Sequence, residues 1–227
     1  MIPAKEPNSF ASPKIKMRPI VKQIQDRVDR GIKDAMENSK VKPPCCRGCF
    51  HCCREPVYAQ LSEVEAMLET LAPAEIETLK KKTQAWMYKL NASGLQNDYL
   101  PSALKYRLLY LWCPFLTDKG ECSVYERRPI ACRAHIAMES IEGCEKDALR
   151  STQKFATFPG FMEKLNDQRI MALQPGEVEM YDHLGLLLGL LLLDRDEPSA
   201  SRLEFSRDGN SVTMKRYTDE KEDPASP

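Results

Sequence analysis

Five of the chain's nine cysteines fall within nine residues, Cys45-Cys46-Arg47-Gly48-Cys49-Phe50-His51-Cys52-Cys53. No other feature restricts the fold as much. A single thiol is commonly a small buried hydrophobe, but five in so short a run cannot all be buried side by side. They are ligands, disulfide partners or redox groups. The frame within the run is Cys46, Cys49, Cys52 and Cys53, a C-x2-C-x2-C-C. A C-x2-C pair turns two thiolates back onto one metal ion at ~2.3 Å. The longer C-x2-C-x2-C is also the spacing with which bacterial ferredoxins hold three corners of a [4Fe–4S] cluster. Adjacent Cys52 and Cys53 are expected to point apart, and so to serve two metal sites or one polynuclear site.

A second block follows. Cys113-Pro114-Phe115-Leu116 precedes Gly120-Glu121-Cys122-Ser123-Val124-Tyr125-Glu126-Arg127-Arg128-Pro129-Ile130-Ala131-Cys132-Arg133, and Cys144 comes last. Together the two blocks resemble the CxxCxxCC (YkgJ-type) cysteine-cluster family, described as zinc- or iron-chelating. Members of that family show C-P-x-L, then G-x-C-x-[IV]-Y-x-x-R-P-x-x-C-R, then one further cysteine. The resemblance runs from about Cys46 to Cys144. It implies a metal set of Cys46, Cys49, Cys52, Cys53, Cys113, Cys122, Cys132 and Cys144. Many members carry glycine just after the second cysteine. Phe50 stands there in this chain, a departure that bears on the loop's conformation. Cys45 is extra to the pattern.

Metal binding can hold the two blocks together. Closing the 60-residue separation between Cys53 and Cys113 costs roughly 3.6 kcal/mol plus a constant. Structural zinc sites contribute about 10–16 kcal/mol in small peptides. Zinc would use two closed four-thiolate sites. A [4Fe–4S] cluster fits the three-cysteine run, with its fourth ligand from the distal block. The three-cysteine run and the adjacent pair favour iron–sulfur slightly. Four thiolates on a zinc dication leave about −2, which nearby cations stabilise. Arg127, Arg128 and Arg133 are therefore read either as donors to sulfur or as ordinary salt-bridge residues. His51 is read as a cap or solvent-facing group, and His135 as a spare ligand or a donor to a thiolate. Tyr125 is read as a packing residue that holds its loop.

Lys plus Arg and Asp plus Glu both number 33, so the net charge is zero. That argues against nucleic acid or an anionic membrane as a general partner. Met1 to Ile20 has no apolar core of a secretory signal. With nine cysteines it points to a reducing cytoplasmic setting, where clustered thiols bind metal rather than form disulfides.

The pattern predicts a mainly α fold. An irregular helical domain, residues 19–195, surrounds a cysteine-rich loop core. A flexible segment, 1–18, precedes it, and a hairpin, 196–217, and a disordered tail, 218–227, follow. Ile20, Ile24, Val28 and Ile32 make one face of a helix from Pro19. Val57, Ala59 and Leu61 alternate as a short extended run. Ser62 and Glu65 form a capping box for a helix to about Leu71. Pro73 opens the next helix, with Ile76, Leu79, Trp86, Met87 and Leu90 inward and Lys80, Lys81 and Lys82 on a solvated face. It ends at Asn91–Gly94. Further helices are expected over Pro101–Trp112, from Pro129 through Cys132 and His135, from Cys144 to Phe155, and over Phe161–Leu173. Turns are expected at Thr117–Gly120 and Gln174–Glu177. Asp182 caps a last helix, about His183 to Asp194. Its run Leu184–Leu193 is too short for a bilayer, which needs about 20 apolar residues. Its Gly185 and Gly189 suit a buried core helix first and a dimer seam second. Leu203 and Phe205, with Val212 and Met214, flank Asp208-Gly209 as a hairpin.

Three functions are compatible with these features. The first is a metal-chelating protein binding an iron–sulfur cluster or zinc. The second is a cluster-dependent protein-modifying enzyme. The resemblance extends to lysine N-methylases of flagellin, which carry a similar cysteine region and use S-adenosylmethionine. The third is a zinc-stapled module for an unidentified protein partner. No P-loop, dinucleotide fingerprint, zincin helix or nucleophile elbow is present.

Overall fold

The computed structural model describes residues 19–39, 43–93, 109–137, 144, 173, 178–193, 202–208 and 211–216. Among them, helix α1 spans Pro19–Ser39, α2 Leu61–Leu68, α3 Pro73–Ser93, α4 Ile130–Ala134 and α5 Leu184–Leu193. Strands β1 Tyr58–Gln60, β2 Val178–His183, β3 Leu203–Asp208 and β4 Ser211–Arg216 form one antiparallel sheet in the order β1-β2-β3-β4. The expectation of a mainly α fold is thereby overturned: the molecule is mixed, with helices packed on a four-stranded sheet. The hairpin β3–β4 forms as its alternation predicts, with Asp208 opposite Ser211. It continues a sheet whose first strand, β1, forms within the expected extended run of Val57, Ala59 and Leu61, whereas β2 carries no simple alternation.

Strand β2 escapes the pattern because it buries an acid on each of its faces. Glu179 and Asp182 are buried, and their carboxylates accept backbone N–H groups. Glu179 Oε1 takes the Ser62 N–H at 3.0 Å, and Asp182 Oδ1 takes that of His183 at 2.7 Å. Buried polar atoms that are hydrogen-bonded in this way need not interrupt a strand. The start of α2 also differs from expectation. The helix begins at Leu61, and Glu63 Oε2 accepts the Gln60 N–H at 3.1 Å. Gln60 and Glu63 thus stand where Ser62 and Glu65 were expected, and the helix ends at Leu68 rather than Leu71.

Helices α1 and α3 follow their apolar periodicity. Ile24 and Val28 of α1 pack on Ile130 of α4, with Ile20 and Ile32 at the margin. Pro73 opens α3, and its buried face is Leu79, Thr83, Trp86, Met87 and Leu90, with Ile76 half-buried. Of the three lysines, Lys82 departs from a solvated role: its Nζ donates to the Leu116 carbonyl at 2.7 Å. Tyr110 and Leu111 lie outside any helix, and Tyr110 has a φ of 53°, so the expected helix does not reach Trp112. Residues 101–108, the expected helices at 145–155 and 161–172, the turn at 174–177, and the terminal segments 1–18 and 218–227 lie outside the described residues.

The last helix starts one residue later than expected, because His183 closes β2. The buried His183 still serves the helix: its Nδ1 accepts the Gly185 N–H at 3.1 Å. Its ring stacks on Trp86 at 5.1 Å between centroids, and burial pulls its pKa down to about 3, so it stays neutral. Leu184, Leu187 and Leu188 join the main core with Val64, Met67 and Leu79. Gly185 and Gly189 form the seam with α3. A Cβ on Gly185 would meet the Trp86 ring at 2.7 Å, whereas one on Gly189 would meet Met87 Sδ at 3.4 Å. Among the described residues no helix is long and apolar enough to cross a membrane.

The two glycines therefore have different tolerances. Gly185→Ala should lose about 1–3 kcal/mol of stability through overpacking in urea titrations. Gly189→Ala should change it by well under half as much. Equal losses would contradict this account of the seam.

Candidate metal centre

The first cysteine block folds as two successive tight turns. The Cys49 N–H donates to the Cys46 carbonyl at 3.1 Å, and Gly48 between them has a φ of 89°. Only glycine takes that left-handed conformation at low cost. A 3-10 turn follows over His51–Arg54, with the Cys53 N–H on the Phe50 carbonyl at 2.9 Å. Phe50 itself has a φ of −121°, so no glycine is required at its position. Its ring stacks on His51 at 5.1 Å, lies 5.9 Å from Trp112, and covers Gly120, whose added Cβ would meet it at 2.9 Å. The departure at Phe50 is matched by the space that Gly120 leaves.

The second block docks on the first through its backbone. The Cys113 N–H donates to the Cys53 carbonyl at 2.7 Å. Leu116 and Cys122 then face each other across a small antiparallel bridge. The expected turn at 117–120 closes it, with the Gly120 N–H on the Thr117 carbonyl at 3.0 Å and Gly120 at a φ of 76°. Residues between the cysteines fix this loop in the protein. Phe115 and Val124 belong to the main core, and Cys113 and Cys122 pack against it.

Cys132 is carried by α4, whose position is set by two buried groups that the sequence patterns did not reveal. Glu63 Oε1 accepts the Ile130 N–H at 2.8 Å, at the helix's first turn. The same carboxylate serves Gln60, so one buried side chain joins α2 to α4. Arg133 donates to Asp29 of α1 and to the carbonyls of Glu126 and Arg128. Its guanidinium is thus a staple between α1 and the loop, not a donor to sulfur. Arg128 instead lies over the Tyr125 ring, 4.0 Å from its centroid, with Arg47 at 5.8 Å. Tyr125 packs between cations and holds the loop as expected. His135 follows α4 in extended conformation, so it does not share the helix face of Cys132.

The cysteines act on one another's ionisation. Interaction with Cys53 lowers the Cys52 pKa to about 7, and interaction with Cys52 raises that of Cys53, which burial and the Cys113 and Cys132 thiols raise further. Burial pushes Cys113 up to about 12, with Cys122 and Cys52 adding to it. Burial likewise raises Cys132, reinforced by Cys113, Cys52 and Cys122, and raises Cys122, reinforced by Cys52. Arg128 opposes the rise at Cys122 and Cys132.

Cys52 also acts on Cys45 and Cys49. Burial raises Cys45, whose Sγ accepts the Ala137 N–H at 3.2 Å; Cys49, Cys52 and Cys144 raise it further. Burial raises Cys49 as well, with Cys52, Cys144 and Cys46 adding to it. Cys45 and Cys46 are exposed and Cys144 is buried. Arg54 Nη2 donates to the Cys144 carbonyl at 3.0 Å and ties it to the 3-10 turn.

All nine cysteines are free thiols. Among the described residues no three His, Cys, Asp or Glu side chains already stand at the spacing of a finished metal site. The donor set nonetheless suits zinc or iron. Thiolates are their preferred soft ligands, and the cost of ionising several buried thiols together is what a dication would offset. The Arg128 Nε is buried without a hydrogen-bond partner among the described residues, next to thiols whose negative charge it favours.

Comparison with known proteins agrees with this chemistry. A family model, CxxCxxCC, described as a putative zinc- or iron-chelating domain, matches residues 45–159, just over half of the chain. Searches of curated proteins and of solved structures return no match.

Thiols that hold their protons in the free protein must release them to a metal. Because Cys113 and its neighbours titrate above neutral pH, zinc affinity should rise as pH rises from 7 to 8. The apparent Kd should fall by about tenfold for each proton released. Zinc calorimetry in buffers of different ionisation enthalpy should show more than one proton released per metal. A pH-independent Kd would contradict the assignment.

Proposed function

We propose that this chain, which belongs to the CxxCxxCC family of zinc- or iron-chelating domains, uses Cys46, Cys49, Cys52, Cys53, Cys113, Cys122, Cys132 and Cys144 as the ligands of a polythiolate centre. The centre takes an iron–sulfur cluster or zinc and acts in the cytoplasm. The observation that carries this reading is the docking of the two blocks. A 2.7 Å backbone hydrogen bond joins Cys53 to Cys113, and burial, with the neighbouring cysteines, opposes ionisation of Cys113 and Cys132. Such an arrangement is unfavourable as a set of thiolates and favourable once a cation is among them. The run Cys46-x2-Cys49-x2-Cys52 supports a cluster, and closed sets of four thiolates support zinc.

One observation favours a second reading, a cluster-dependent modifying enzyme. A cleft of about 340 Å³ opens between α3 and the 110–118 loop, and its lining includes Trp112, Lys89 and Cys113. It would give a substrate access to the edge of the centre.

Anaerobic purification followed by metal analysis and an absorption spectrum tests the first reading. Iron with sulfide and a broad visible charge-transfer band identifies a cluster, and a colourless protein with about two zinc ions identifies thiolate zinc. Cys132→Ser should lower the bound metal and the Tm together, because the metal holds α4 to the loop. Wild-type protein free of both metals would overturn the proposal.

A further inference from the structure

The cleft beside Cys113 has one aromatic side and one cationic side. Its volume of about 340 Å³ falls in the range of small-molecule sites. The chain has only two tryptophans, Trp86 and Trp112, and both line it. Trp86 is almost fully buried, packed against His183 and Gly185, so it offers a ligand only its margin. Trp112 is half-buried, and the neighbouring Tyr110 is 68% exposed at the rim. Tyr110 also holds a φ of 53°, a left-handed conformation that a bulky side chain adopts only under strain. A ring so exposed has too little packing to account for that conformation. Strain of this kind clusters at ligand sites.

The opposite side of the cleft is α3. Lys82, Trp86 and Lys89 share one of its faces, at i, i+4 and i+7, and the small Ala85 beside them leaves room between the two lysines. Lys82 Nζ donates to the Leu116 carbonyl at 2.7 Å and lies 3.6 Å from Asp118 Oδ1. Asp118 is fully exposed, so that pair is weak, and an ammonium has three protons to donate. Lys89 has no hydrogen-bond or ion-pair partner among the described residues. Two ammonium groups against the one carboxylate of Asp118 leave the lining net positive.

We propose that this cleft binds a small aromatic anion about the size of a mononucleotide, with Tyr110 and Trp112 against its ring and Lys82 and Lys89 on its charge. Ring stacking and charge-assisted hydrogen bonds are the interactions such residues supply. The proposal names a ligand class for the cleft of the modifying-enzyme reading, and it rests on that reading only in treating the ligand as a substrate beside the metal centre.

Calorimetry and tryptophan fluorescence of the full chain as purified test it, with AMP and 2-naphthoate as probes that separate a nucleotide from an aromatic carboxylic acid. At least one should bind with a Kd below about 1 mM and change the emission, since both tryptophans line the site. Adenosine and inorganic phosphate, each half of AMP, should bind at least about tenfold more weakly than AMP if AMP is the better probe. Lys89→Met should weaken the anion about tenfold and leave adenosine unchanged; Lys89 is exposed, so the variant should fold. Tyr110→Gly should weaken binding yet raise the Tm by a few degrees, because glycine takes a positive φ without strain. Absence of binding by both probes, an unchanged affinity in Lys89→Met, or a lowered Tm in Tyr110→Gly would overturn the proposal. Binding that leaves the sulfur-to-metal charge-transfer band of the cobalt-loaded chain unaltered would sustain it and overturn the modifying-enzyme reading instead.

Discussion

The hydrogen bond from the Cys113 N–H to the Cys53 carbonyl, 2.7 Å long, is where two distant cysteine blocks become one structure. One backbone hydrogen bond contributes only about 0.5–1.5 kcal/mol, too little to hold a 60-residue closure by itself. The junction therefore depends on what surrounds it. Phe115, two residues after Cys113, is almost fully buried in the main core, and burial of such a ring stabilises by roughly 1.5–3 kcal/mol. Phe50 lies across Gly120 and Trp112 from the first block. Packing on both sides of the cysteines delivers the thiols to each other before any metal arrives.

The sheet and helices supply the rear wall of this arrangement. Glu63 and Glu179 are buried carboxylates whose oxygens accept backbone N–H groups at the starts of α4 and α2. A negative charge at a helix N-terminus is favourable, and a buried one requires such partners. Arg133 completes the frame by joining α1 to the same loop. On the far side, Gly185 lets α5 approach Trp86 of α3, and His183 stacks on the same ring. The chain thus uses its polar buried residues to position elements and its apolar ones to bind them together.

Local patterns were legible in the sequence and long-range ones were not. The faces of α1 and α3, Pro73 as a helix start, the turn at Gly120 and the β3–β4 hairpin all follow from periodicity or turn chemistry within a few residues. Strand β2 was hidden because buried Glu179 and Asp182, three residues apart and so on opposite faces, break any alternation of apolar residues. The capping residues of α2 were misplaced because Gln60, at the end of β1, rather than Ser62 precedes the helix. Lys82 looked like its neighbours in a lysine run, but only the fold places Leu116 within its reach. The cysteine spacing itself revealed the chemistry, because metal ligation is among the few functions that reach the sequence as a count and an interval.

The central claim is that converging thiols, not oxygen or nitrogen ligands, hold the metal. X-ray absorption at the edge of the metal that co-purifies with the protein tests it most directly. The account predicts a first shell made only of sulfur, about four atoms at ~2.3 Å for zinc. A shell dominated by nitrogen or oxygen would contradict it.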